Sequence, residues 1–163
     1  MKKSRVAFLG LFTAFAMILS FVESQIPTFV AIPGIKLGLA NIAIIVILYK
    51  FGPAEAVVIS LIRVLLTNLL FGFNPQMLVF SCVGASLSFL AMFALKKLLN
   101  IVTVSVIGGI CHNIGQIAMA CVIMETTVVI SYLPVLLVTG VIAGIIIGLV
   151  AALTYKKISA IEF

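Results

Sequence analysis

The chain has 163 residues, of which 64% are hydrophobic and 9% are charged, and its formal net charge is +6. This composition carries more apolar surface than a soluble domain of this length can bury, so it excludes a soluble protein and predicts an integral membrane protein. Because the basic residues lie mainly at the ends of apolar segments, the positive charge favours anionic membrane lipid over nucleic acid as a partner.

Six apolar segments follow one another, and most are close to the ~20 residues that a helix needs to cross the hydrocarbon core. They cover residues 6–22, 37–49, 56–73, 76–95, 101–124 and 128–155. The second segment is short, and the stretch before it, 26–36, contains Pro27, Pro33 and Gly34. Because proline interrupts a helix, we expect 26–36 to form a gating or re-entrant loop. The short connections predict one membrane domain over residues 1–163.

Basic residues predict the orientation, since lysine and arginine are retained on the cytoplasmic side of a membrane. With both termini in the cytoplasm, eight of them lie on that side: Lys2, Lys3, Arg5, Lys50, Lys96, Lys97, Lys156 and Lys157. Among the loops, only Lys36 then faces outward. This asymmetry predicts an all-α, multi-pass bundle of six transmembrane helices.

A secretory signal over residues 2–16 is the competing interpretation of the first segment. Its basic start and short apolar run are typical of such a signal, and the Ala14-Phe15-Ala16 triplet mimics a cleavage site. The apolar run continues to Val22, however, and the charge alternation needs an even number of spans. We therefore expect the first helix to stay in the mature protein.

Cysteine, histidine and acidic residues give no metal or disulfide signature. The three cysteines lie inside apolar segments, show no CxxC spacing and are odd in number. The single histidine cannot form a metal site alone. The four acidic residues are all glutamates, so the chain contains no aspartate.

Arg63 lies near the middle of the third segment, where an arginine costs roughly 2.5–3.5 kcal/mol on insertion scales unless a partner, cavity or ligand accommodates it. Helical spacing places Thr67 one turn further out on the same face, with Asn68 beside it. At 1.5 Å of rise per residue, further polar side chains fall between the midplane and the outer surface. These are Asn41 in the second segment and His112, Asn113 and Gln116 in the fifth, with Lys36 at the mouth.

Together these donors predict an outward-facing site for a small anionic or strongly hydrogen-bonding molecule, with Glu23 and Glu125 as acids near its outer rim. The alternative is purely structural. Polar side chains often bond between membrane helices, and helix carbonyls or Asn113 could hold Arg63 in that way.

Small residues recur at four-residue spacing in the first and last segments, a pattern that lets helix backbones approach closely. They are Gly10 and Ala14 in the first, and Gly140, Gly144 and Gly148 in the last. Packing inside the bundle and docking to another membrane subunit both explain the pattern.

Three motifs resemble a bacterial family labelled both "heptaprenyl diphosphate synthase component I" and "Gx transporter". They are IPGIKLGLANI at 32–42, RVLLTNLLFG at 63–72 and GGICHNIGQ at 108–116. That family is similar to the S components of energy-coupling factor transporters, six-helix proteins that capture vitamins from outside the cell. The resemblance implies a bacterial cytoplasmic membrane, a gate and outer site over 33–41, and docking of Gly10 and Ala14 to a coupling subunit that two ATPases drive.

The two family labels imply different roles. Polyprenyl diphosphate synthases hold magnesium with aspartate-rich motifs, and ATPases commonly carry a GxxxxGK[ST] loop, but this chain has neither. We therefore expect a non-enzymatic transporter subunit for a small polar or anionic metabolite, such as a vitamin or an isoprenoid, quinone or flavin precursor. The alternative is a non-catalytic membrane component that accompanies a soluble prenyl diphosphate synthase, or serves flavin-linked electron transfer.

Overall fold

The computed structural model describes residues 2–25, 38–70 and 74–160. These residues form α-helices and one 3₁₀ helix, without a β-strand, so the predicted all-α class is confirmed for them. The helices are α1 (Lys2–Gln25), α2 (Asn41–Lys50), α3 (Pro53–Leu70), α4 (Pro75–Leu95), α5 (Ile101–Ile123), the 3₁₀ helix (Val128–Tyr132) and α6 (Leu133–Ile158). The predicted loop at 26–36, with Lys36, lies outside the described residues.

Local chemistry explains several helix boundaries. Pro53 opens α3, in the first turn, where the missing backbone N–H has no helical partner to lose. The side chain of Asn100 caps α5 by accepting a hydrogen bond from the Thr103 N–H at 2.8 Å. The last predicted segment, 128–155, divides into the 3₁₀ helix and α6, and Pro134 lies in the first turn of α6.

α2 is the central helix of the bundle. It contacts α1, α3 and α6, and its residues 44–48 are at most 2% exposed. A helix that is apolar on every face, as α2 is, packs against other parts of the protein on every side. It has ten residues, about 15 Å of rise against a hydrocarbon core of about 30 Å. The other five helices are long and apolar enough to cross a membrane, so the sixth span stays a prediction.

Basic side chains from several helices meet at one end of the bundle, which we call the basic end. Arg5 forms an ion pair with Glu55, Lys50 donates to the Ser159 carbonyl at 2.8 Å, and Lys96 donates to the Leu48 carbonyl at 3.3 Å. These contacts bring the N-terminal ends of α1 and α3 together with the C-terminal ends of α2, α4 and α6. The helices therefore alternate in direction, as the charge pattern predicts.

The glycines of the last segment pack α6 against α5. A Cβ atom added at Gly144 would lie 2.7 Å from the Cα of Val106, and one at Gly148 would lie 2.7 Å from the Cα of Val102. Only a residue without a side chain permits so close an approach of two helices. For these glycines, the interpretation as packing inside the bundle is confirmed.

Candidate ligand site

A polar cavity lies inside the bundle, about half-way along α3 and α5 and beside the first residues of α2. Five of the predicted site residues line it, from three different helices: Asn41, Arg63, Thr67, Asn68 and His112. The remaining lining residues are Glu23, Gly38, Val64 and Ser81. The accessible space between these side chains is about 20 Å³, so they lie close together around it. The structure thus brings together side chains that the sequence places at similar depth.

Arg63 is the central cation of this cavity, and its side chain is only 9% exposed. Its Nε atom is shielded from solvent and has no hydrogen-bond acceptor among residues 2–25, 38–70 and 74–160. The Oγ1 atom of Thr67, one turn further along α3, is also buried and without a partner in the same part of the chain. Buried polar atoms without partners are rare in proteins, so these two call for an explanation at this site.

Glu23 supplies a negative charge to the same cavity. Burial removes the hydration of Arg63, and the nearby charge of Glu23, a residue that is itself 6% exposed, offsets part of that loss. The Oε1 atom of Glu23 accepts a hydrogen bond from the backbone N–H of Gly38, which ties the end of α1 to the turn before α2. Gly38 has φ +84°, a left-handed conformation that glycine adopts without strain.

The sequence predicts Glu23 only near the outer rim, whereas the structure buries it in the cavity that Arg63 also lines. The spacing of the buried residues in α1 indicates the burial of Glu23. The buried residues of that helix, Phe12, Ala16, Ser20 and Glu23, are spaced four, four and three apart. This spacing keeps all four on one helical face, so Glu23 continues the face that packs into the bundle.

Two predicted site residues of α5 do not line the cavity. Asn113 donates from Nδ2 to the Leu136 carbonyl at 2.6 Å and thereby joins α5 to α6. Gln116 lies against α4, where a Cβ added to Gly84 would be 3.0 Å from the Gln116 Cγ. Both are buried. Their positions suit helix packing around the site, whereas His112 reaches the cavity itself.

Within the cavity, Asn68 uses its amide nitrogen locally, because Nδ2 donates to the Val64 carbonyl at 2.9 Å in the same helix. The lining thus combines a guanidinium, a carboxylate, hydroxyls, amides and an imidazole. The described residues contain no group of three histidine, cysteine or acidic side chains that could hold a metal ion. This chemistry suits a ligand that offers an acceptor to Arg63 and a donor to Glu23.

The predicted docking residues Gly10 and Ala14 lie on the outer surface of α1. Both are exposed, and a Cβ added at Gly10 would meet no atom within 4 Å. This open face differs from the glycine face of α6, which packs closely on α5. Packing inside the bundle therefore does not explain the small residues of α1.

The family model described as "Heptaprenyl diphosphate synthase component I" matches residues 12–154. The chain belongs to this family. A solved structure titled "Structure and mechanism of the S component of a bacterial ECF transporter" is similar over 98% of this chain and 97% of that one. Its TM-score is 0.74 at 20% sequence identity, so the likeness shows that this family member shares the S-component fold. No curated protein sequence matches the chain.

Proposed function

We propose that the chain is the substrate-binding subunit of a membrane transporter, and that a small anionic or polar molecule binds in the cavity of Arg63 and Glu23. The observation that carries this proposal is the buried Arg63 Nε atom, which has no acceptor within residues 2–25, 38–70 and 74–160. A buried charged donor of this kind is strongly stabilised by a ligand that brings an acceptor.

In this proposal each lining residue has a role that follows from its chemistry. Arg63 binds an anionic or acceptor group of the ligand, and Thr67, only one helical turn away, adds a hydroxyl. Asn41, Asn68 and His112 orient the ligand with hydrogen bonds. Gln116 and Asn113 do not contact the ligand in this proposal. They support the site from nearby, since both pack between helices. The loop at 26–36, with Lys36, remains the predicted gate.

The basic end faces the cytoplasm in the proposed orientation, with both termini on that side of a bacterial cytoplasmic membrane. Lys50, Lys96, Lys97, Lys156 and Lys157 all lie at or next to helix ends there, which agrees with the retention of basic residues on the cytoplasmic side. The cavity lies beside the end of α2 that is away from the basic end, so in this orientation we place its entrance on the outer face and the ligand enters from outside the cell.

The chain binds its ligand but takes the energy for transport from partners. Similarity to an S component supports assembly with an energy-coupling transmembrane subunit and its ATPases. The exposed small residues Gly10 and Ala14 supply a face on which another helix can approach closely. The chain itself contains neither an aspartate nor a phosphate-binding loop, so no catalytic role is proposed.

The family description favours a second candidate function. "Heptaprenyl diphosphate synthase component I" supports a non-catalytic membrane component that recruits a soluble prenyl diphosphate synthase subunit. In that case the polar cavity contacts the headgroup of a lipid or a partner protein. The two candidates differ in whether a small molecule occupies the cavity in the absence of any partner.

The test is to purify the chain from membranes in a mild detergent, denature it, and identify the released small molecules by mass spectrometry. The Arg63→Gln variant is compared with Arg5→Gln, which removes an arginine at the basic end. The transporter proposal predicts a molecule that is retained by the wild type and by Arg5→Gln but is reduced at least tenfold in Arg63→Gln. A stable protein that releases no such molecule and instead captures a soluble synthase contradicts it.

A further inference from the structure

An apolar groove runs along the outer surface of α6 beside the start of α2. Its lining residues are Leu39, Thr139, Ile142, Ala143, Ile146 and Ile147, and its accessible volume is about 170 Å³. Thr139 donates its hydroxyl to the Leu136 carbonyl at 3.1 Å, so its one hydrogen-bond donor is already satisfied within α6. Residues 139–147 extend over roughly 12 Å of helix. The groove therefore suits a hydrocarbon chain.

The groove and the polar cavity are immediate neighbours. Gly38 lines the cavity, and the next residue, Leu39, lines the groove. From the groove side, the Cδ1 atom of Ile147 lies 3.9 Å from the position of a Cβ atom added at Gly38. The turn that begins at Gly38 is therefore the boundary between a charged site and a hydrocarbon site.

This boundary is narrow because residue 38 is a glycine. A Cβ atom at this position would lie 3.0 Å from the Asn41 Nδ2 atom, and the φ of +84° is a conformation that other residues adopt only with strain. A single backbone segment without a side chain thus separates Asn41, in the cavity, from Ile147, in the groove.

The geometry points to an amphiphilic ligand whose polar head occupies the Arg63 cavity and whose hydrocarbon tail lies in the α6 groove. This inference rests on the proposed function and names the class of its substrate. The head would carry acceptors for Arg63 and a donor for Glu23, as the singly charged form of a phosphate monoester does. The tail would leave the lipid around α6 and enter the groove, which is also apolar. It would therefore add affinity mainly because it is attached to the head.

The alternative is that the acyl chain of an ordinary bilayer lipid enters the groove, with no head group bound in the cavity. Such a chain would fill the groove at random, without dependence on Arg63. Binding of one amphiphile across the Gly38 turn instead makes occupancy of the groove depend on a charge in the cavity. The two cases can be separated by measuring groove occupancy while the cavity is altered.

The chain contains no tryptophan, so one introduced tryptophan reports on one position. Ile142→Trp places the reporter in the groove, at a residue that is 55% exposed. Ile145→Trp is the matched control, because Ile145 lies one turn along the same helix and is exposed, but does not line the groove. Each variant is reconstituted in lipid nanodiscs and titrated with 12-bromododecyl phosphate, whose bromine quenches tryptophan fluorescence on contact.

We expect saturable quenching in Ile142→Trp and only a linear, unsaturated decrease in Ile145→Trp. Adding Arg63→Gln to Ile142→Trp should raise the midpoint at least tenfold. Thr67→Val, which preserves side-chain shape, should raise the midpoint by a smaller factor. It also keeps the test decisive if Arg63→Gln fails to fold.

Equal linear quenching at both positions overturns the inference, and so does saturable quenching that neither cavity substitution changes. Methyl phosphate, which has the head without the tail, separates this failure from that of the proposed function. If methyl phosphate raises the melting temperature through Arg63 while quenching stays linear, the polar site stands and the amphiphile is wrong. If neither probe depends on Arg63, the proposed function fails as well.

Discussion

Glu23 on α1 and Arg63 on α3 line the same cavity, carry opposite formal charges, and are 6% and 9% exposed. Either charge would be costly to bury by itself, because no opposite charge would then compensate for the hydration that it loses. The lost hydration of Arg63 is the larger effect, and its attraction to Glu23 offsets only part of that cost. The attraction also sets the condition for a ligand, which must satisfy Arg63 without leaving Glu23 unpaired.

A double-mutant cycle tests this coupling. Glu23→Gln keeps an oxygen that can accept from the Gly38 N–H and removes only the charge. We expect Glu23→Gln and Arg63→Gln each to lower the free energy of unfolding by at most roughly 3–5 kcal/mol, the loss for buried charges in direct contact. The double variant should lose clearly less than the sum. Additive losses, measured by unfolding in detergent, would mean that the two charges do not interact.

Asn68 and Asn113 are a matched pair of buried asparagines with different expected roles. Asn68 lines the cavity, whereas Asn113 bonds to the Leu136 carbonyl. Asn113→Ala should lower the free energy of unfolding by about 0.6–1.7 kcal/mol, the range for hydrogen bonds between membrane helices, and leave ligand occupancy unchanged. Asn68→Ala should reduce the amount of released ligand instead. If Asn113→Ala empties the protein while it remains folded, Asn113 belongs to the ligand site.

Gly144 and Gly10 lie in small-residue patterns that differ in their surroundings. A Cβ at Gly144 would press on the backbone of α5, while one at Gly10 would meet nothing within 4 Å. Gly144→Ala should therefore lower stability by about 1–3 kcal/mol through overpacking. Gly10→Ala should raise it by up to about 1 kcal/mol, since alanine is the better helix former. Melting temperatures of the two variants in one detergent give the comparison, and equal shifts would contradict it.

The exposed face around Gly10 and Ala14 should matter for partner assembly rather than for ligand binding. Gly10→Leu and Ala14→Leu add bulk where another helix would have to approach closely. We expect each to reduce co-purification of an energy-coupling transmembrane subunit at least fivefold. Ligand occupancy should stay at the wild-type level.

Val22→Phe is the control for docking, because Val22 is exposed on the same helix but near its other end. It should retain the coupling subunit. Retention of that subunit by both leucine variants would place the docking surface elsewhere.

The long helices could be predicted from the sequence because about 20 apolar residues leave few alternatives in a membrane. The convergence of Arg63, Thr67, Asn68, Asn41 and His112 could also be predicted, since alternating helix directions fix the depth of each side chain. Depth does not fix rotation, however. One residue turns a helix by 100°, so only packing decides that Asn113 turns to α6 while His112 reaches the cavity.

Glu23 shows a second limit of prediction from the sequence. A carboxylate near a helix end is usually solvated, and its burial depends here on two partners that are distant in sequence, Gly38 and Arg63. The division of the last segment at Pro134 is easier to anticipate, because proline is tolerated only near the start of a helix. The burial of Glu23, which the sequence does not reveal, is determined by tertiary contacts rather than by local propensity.

The proposed function requires a small molecule to bind between Arg63 and Glu23. The most direct measurement is an experimental structure of the protein purified from membranes together with its bound small molecule. We expect ligand density within hydrogen-bonding distance of the Arg63 guanidinium, in the cavity that Asn41 and His112 also line. Density for the ligand at another site, with Arg63 bonded only to protein groups, would contradict it.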